Sequence, residues 1–170
     1  MSRSYHILFV CSGNACRSPM AEGLLKKKLF PQFLKKVEIE SAGTLGFSGS
    51  PASPLTIQVA KEKGVDISGH RSQPLTRELV ENTDLILVMA NHHKEFIRNN
   101  FPDFIDKVFL LTEFGQNDPE NEQNFPEILD PIGENLSFHR KIIEQIDREL
   151  VRILPIIKEK IEKHKNKKTK

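Results

Sequence analysis

Apolar positions along the chain fall into short continuous runs, separated by segments in which they recur every three or four residues. The run at residues 5–10 (YHILFV) does not alternate with polar positions, which predicts a strand buried on both faces. Residues 37–41, 84–89 and 107–111 predict three more strands. Amphipathic spacing predicts helices over 19–30, 55–63, 76–82 and 91–100, and a long last helix from 136 past 150. Ser18 is the expected cap of the first helix, with Pro19 in its first turn, and Pro155 is the expected kink or interruption of the last. Strands and helices alternating in this way imply βαβ units and a parallel sheet. Loops 42–54 and 113–133 are longer than connection requires. In such a fold the ligand site lies at the carboxyl ends of the strands, where Cys11 falls.

Composition narrows the class. A chain of 170 residues with 38% apolar and 28% charged positions has the material for one domain with its own core. No apolar run reaches bilayer-spanning length, so a cytoplasmic protein without a membrane partner is expected. The net charge of +2 is uneven: residues 158–170 hold seven Lys and two Glu, which leaves −3 on the rest. This sets a basic tail, 158–170, apart from a single domain over 1–157. The tail reads as a solvated, fraying helix end rather than a nucleic-acid contact. Only Cys11 and Cys16 are present, which excludes both a disulfide framework and the paired clusters of a zinc site.

The chemistry is concentrated between the first strand and the first helix, in Val10-Cys11-Ser12-Gly13-Asn14-Ala15-Cys16-Arg17-Ser18-Pro19. Small residues, with Gly13 and Asn14 able to take positive φ, let successive N–H groups turn inward at a helix start and form an anion nest. A phosphate fits it. Arg17 closes the ring with a bidentate fork on two phosphate oxygens. Cys11, at the strand end, points at the phosphorus, and the dipoles that hold the anion favour its thiolate as nucleophile. Ser18 donates to that sulfur and stabilises it as a leaving group. Cys, any five residues, then Arg is a weak signal in a chain with eight Arg, and the strand before it and the helix start after it supply the context.

Together with Ser41-Ala42-Gly43, Gly69-His70-Arg71-Ser72, the DLILVM strand and Asp130-Pro131, in that order, this loop resembles the low-molecular-weight protein tyrosine phosphatases. The resemblance implies a three-layer α/β/α fold around a four-stranded parallel sheet, with the phosphate loop between first strand and first helix. It implies a phosphocysteine mechanism without metal or cofactor, acting on a phosphorylated protein. Carried over, Cys11 is the nucleophile, Arg17 the phosphate clamp, Ser18 the thiolate partner and Asp130 the general acid. Residues 11–17 cradle the phosphate, while Asn14, Ser41 and His70 brace the loop. Asp118, in the polar stretch GQNDPENEQN, competes for the acid role but lacks the apolar anchor and following helix of Asp130.

Other features carry lesser expectations. Phe47 and Ile132 are placed at the substrate wall, although two Tyr follow the Asp-Pro in eukaryotic-type members. Cys16 either protects Cys11 through a reversible disulfide or fills space beneath the loop. His92 and His93, adjacent and so on different helix faces, are expected at the solvent rather than on a metal. A monomer or weak dimer is expected.

Three rival functions are open. A thioredoxin-coupled arsenate reductase needs further cysteines, and residues 82–90 contain none. A non-catalytic phosphate-binding module would need neither Cys11 nor Asp130. A protein-arginine phosphatase is the serious rival, because Ala15 stands where tyrosine enzymes commonly carry Ile and arginine phosphatases Thr.

Overall fold

A computed structural model describes residues 3–116 and 125–166. Four parallel strands, β1 (Tyr5–Cys11), β2 (Val37–Gly43), β3 (Leu85–Val88) and β4 (Val108–Leu110), lie in the order β2-β1-β3-β4. The helices are α1 (Arg17–Leu29), α2 (Pro54–Glu62), α3 (Arg77–Asn82), α4 (Asn91–Asn100) and α5 (Leu136–Asn166).

Every residue of β1 is buried, and the period of two divides its side chains between two helical layers. Ile7, Phe9 and Cys11 share a core with Met20 and Leu25 of α1 and Ile146 and Ile153 of α5. Leu8 and Val10 share the other with Val80 of α3 and Ile97 of α4. The result is an α/β/α sandwich around the parallel sheet, and burying each large apolar side chain contributes roughly 1.5–3 kcal/mol.

Three local expectations are corrected. Ser18 does not cap α1: the helix starts at Arg17 with Cys16 at its cap, and no side chain bonds there. The orphan N–H groups of the first turn are thereby left facing the loop that precedes them. Pro155 lies within α5 and does not interrupt it. Position 158, the expected start of a tail, falls inside α5, where Ile157 and Ile161 are both buried. A 3₁₀ helix over Pro102–Lys107 was without a counterpart in the sequence reading.

Candidate active site

The loop from Cys11 to Ser18 rises from the carboxyl end of β1 and turns directly into α1. Asn14 takes φ 54°, the left-handed region that few residues other than glycine adopt. Its side chain holds that conformation. Asn14 Nδ2 donates to Ser18 Oγ at 2.9 Å and to Ser41 Oγ at 2.9 Å, and Oδ1 accepts the N–H of Gln73 at 2.9 Å. His70 Nε2 lies 2.7 Å from the Asn14 carbonyl oxygen, which only accepts, so the imidazole donates. Ser41 in turn donates to Glu22 Oε2 at 2.5 Å. Gln73 and Glu22 were missed in the sequence, where nothing local marks contacts made across 59 and 19 positions.

This bracing has a chemical consequence at Cys11. Ser18 Oγ accepts from Asn14, so its own proton is free for Cys11 Sγ, 2.9 Å away. Both residues are buried. Among the described residues, no hydrogen bond satisfies the backbone N–H groups of positions 12–16, so they remain available to an anion.

Arg17 is 3% exposed, and its guanidinium is held from one side by the Ile128 carbonyl, which accepts from Nη1 at 2.9 Å. Nη2 lies 3.1 Å from Asp130 Oδ2, and Nε is buried with no partner among the described residues. A buried guanidinium nitrogen left unpaired is costly unless a ligand completes it. Asp130, half exposed, stands over the loop, and its Oδ1 accepts the N–H of Ile132 at 3.2 Å. Asp118 lies outside the described residues.

Cys11, Arg17 and Asp130 line a pocket of about 180 Å³ whose mouth carries Leu45, Phe47 and Ile132. Ser12, Gly13, Ala15 and Cys16 complete its floor. Phe47 and Ile132 are more than half exposed there. Leu45 and the equally exposed Leu129, neighbours of Thr44 and Asp130, were not singled out in the sequence. Cys16 is buried with its Sγ 3.3 Å from Ser53 Oγ, and burial pushes its thiol pKa up.

His92 is exposed, but His93 is not. Its side chain is fully buried against the loop, 2.8 Å from Ser12 Oγ, which corrects the expectation that both face solvent. Among the described residues, one group, His6, Glu38 and Glu40, brings three ligand atoms within 4.8 Å of one another. It lies at the start of β1, and His6 Nε2 is engaged by Glu40 Oε2 at 2.7 Å. Among the described residues no helix is long and apolar enough to cross a membrane.

Comparison with known proteins bears on this arrangement directly. Residues 6–167 match the family described as low molecular weight phosphotyrosine protein phosphatase. A protein-arginine-phosphatase of Bacillus subtilis is 36% identical over 148 residues, which cover 87% of this chain and 93% of the relative. A probable low molecular weight protein-tyrosine-phosphatase, EpsP of Ralstonia nicotianae, is 42% identical over 142 residues, covering 84% and 88%. The solved structure of the YwlE arginine phosphatase from Geobacillus stearothermophilus superposes with a TM-score of 0.81 at 35% identity, covering 94% of this chain and 97% of that one. With the family matched over nearly its whole length, the chain belongs to the low molecular weight phosphotyrosine protein phosphatases.

Proposed function

We propose that the protein hydrolyses phosphotyrosine in protein substrates through a phosphocysteine intermediate. The observation that carries this reading is the Cys11–Ser18 contact of 2.9 Å at the base of a pocket that also holds Arg17 and Asp130. The phosphoryl group enters the nest of free N–H groups, and Arg17 turns its Nε and Nη2 edge from Asp130 to two phosphoryl oxygens. Cys11 Sγ attacks phosphorus as the P–O bond to tyrosine breaks, and the Asp130 carboxyl gives its proton to the departing oxygen. Water then attacks the phosphocysteine, passing a proton back to Asp130. The P–S bond breaks, and the Ser18 hydroxyl stabilises the sulfur as it leaves. No step in this sequence calls on a metal or cofactor.

The apolar mouth supports an aryl substrate. Leu45, Phe47 and Ile132 offer a flat ring contact area and no partner for a guanidinium. A second reading, hydrolysis of phosphoarginine, is favoured by the arginine phosphatases among the relatives. Ala15 supplies neither a branched apolar wall nor a hydroxyl, so it is neutral between the two.

Cytoplasmic residence is part of this reading: two cysteines are too few for a secreted disulfide framework, and a thiolate nucleophile suits a reducing compartment. A monomer or weak dimer that contacts no nucleic acid is part of the same proposal.

The test is to measure initial rates on phosphotyrosine and phosphoarginine peptides side by side, in the natural protein and in Cys11→Ser. The proposal expects a higher kcat/KM for phosphotyrosine. It also expects turnover to vanish in Cys11→Ser while inorganic phosphate still binds. Substantial activity in that variant would overturn the covalent mechanism, and a higher value for phosphoarginine would overturn the substrate.

A further inference from the structure

His93 is the third residue of α4, and its fully buried imidazole touches the phosphate loop at Ser12. Its tautomer follows from its neighbours. Nδ1 accepts the Ala90 N–H at 3.1 Å, so the ring proton sits on Nε2, and Nε2 donates to Ser12 Oγ at 2.8 Å. Burial lowers the imidazole pKa to about 3, with the charges of His92 and Arg17 acting in the same direction. At neutral pH the ring is therefore uncharged and in this single tautomer.

Ser12 Oγ accepts a second, longer contact from Arg17 Nη2 at 3.4 Å. With both lone pairs engaged, the Ser12 proton can only be given away. His92 Nε2, at 3.3 Å, is its one neighbour among the described residues, and an anion in the nest is the stronger acceptor. The far side of the guanidinium is tied to the same turn, because Ile128, whose carbonyl takes Arg17 Nη1, donates its own N–H to the Met89 carbonyl at 2.9 Å. Both flanks of Arg17 thus trace back to the turn between β3 and α4.

We propose that His93 is a positioning residue for phosphoryl binding: through Ser12 it fixes the plane of the Arg17 guanidinium and points the Ser12 hydroxyl at the same anion. This deepens the phosphatase reading and rests on it. His93 touches no reacting atom. Its two nitrogens have separate duties, Nδ1 capping α4 and Nε2 holding Ser12, and two substitutions separate them. An asparagine amide oxygen sits where Nδ1 sits, so His93→Asn keeps the cap and loses the donor to Ser12. A glutamine amide nitrogen sits where Nε2 sits, so His93→Gln keeps that donor and loses the cap.

The experiment measures inorganic phosphate affinity by calorimetry, kcat/KM on an aryl phosphate, and the thermal midpoint. His93→Asn and Ser12→Ala should each weaken phosphate about tenfold and lower kcat/KM about 10- to 100-fold, the scale of a lost charge-assisted contact. Their thermal midpoints should stay near that of the natural protein. His93→Gln should restore most of the affinity while melting earlier. The double variant Ser12→Ala with His93→Asn should be no worse than either single one. Two results overturn the proposal: phosphate affinity kept in Ser12→Ala, or kept in His93→Asn and lost in His93→Gln. A natural protein that binds phosphate but turns over no phosphomonoester would sink the catalytic reading, whereas the order of phosphate affinities would still decide the role of His93.

Discussion

Asp130 carries the proton in the proposed reaction, and its position 3.1 Å from Arg17 Nη2 keeps it over the loop before substrate arrives. Asp130→Ala should lower kcat by about 10²–10⁴-fold on phenyl phosphate and far less on nitrophenyl phosphate, whose leaving group needs no proton. Asp118→Ala should leave both near their original values, and equal losses in the two variants would show that the acid has been misassigned. Cys16 invites a second test. Its buried thiol has a raised pKa, so it holds its proton at neutral pH until Cys11 is oxidised to a sulfenic acid. Condensation of the two then gives a disulfide and water. Peptide mapping after peroxide should find the Cys11–Cys16 link, and a Cys11 sulfinate without that link would assign Cys16 to packing alone. Residue types and order pointed at Cys11, Arg17 and Ser18, because a nest and a fork leave local traces, whereas Asp130 entered through the family resemblance and was then preferred to Asp118 for its apolar anchor. The burial of His93 left none: the histidine is polar in sequence, and its burial is accompanied by a bond from the Ala90 N–H and by Ser12, 81 positions away, which receives its proton.

At the level of elements, the centres of the strands were legible from their apolar runs, but their ends were not. β2 continues through Ala42 and Gly43 because these pair with Val10 and Cys11, a long-range event. Gly43 shows what the pairing requires. A Cβ there would lie 2.6 Å from the Ser12 carbonyl oxygen and 3.1 Å from the Asn14 nitrogen, both backbone atoms of the phosphate loop. Gly43→Ala should therefore cost about 1–3 kcal/mol in urea denaturation, on the scale of overpacking, and weaken phosphate inhibition as the loop is displaced. An unchanged inhibition constant would mean that the loop tolerates the shift. Pro155 was misread for a related reason. The carbonyl it leaves without a donor is that of Val151, and both residues are exposed, so water can take the missing bond on the outer face of α5.

Across the whole molecule, the buried imidazole also couples pH to stability. In the unfolded chain His93 takes a proton near 6.5, whereas in the fold it does so only at about 3. Between these values the unfolded state binds the extra proton, so this group removes stability as pH falls from 6.5 toward 3 and is silent above that window. Thermal midpoints followed from pH 8 down to pH 3 should fall more steeply in the natural protein than in His93→Gln. Parallel slopes would place the acid sensitivity elsewhere. The fold class was legible at this scale because alternating runs and amphipathic segments admit few arrangements, whereas the pocket mouth was legible only in part: Phe47 and Ile132 were placed there, and Leu45, which belongs to no periodic pattern, was not. The strand order β2-β1-β3-β4 places β1 between neighbours reached by separate connections. Residues 45, 47 and 132, which rim the opening, lie on segments outside the ladder and take no part in its register. The rim can therefore be rewritten without disturbing the sheet, so a change of substrate on this scaffold needs no change of fold, and the chain's relatives do include proteins named as tyrosine and as arginine phosphatases.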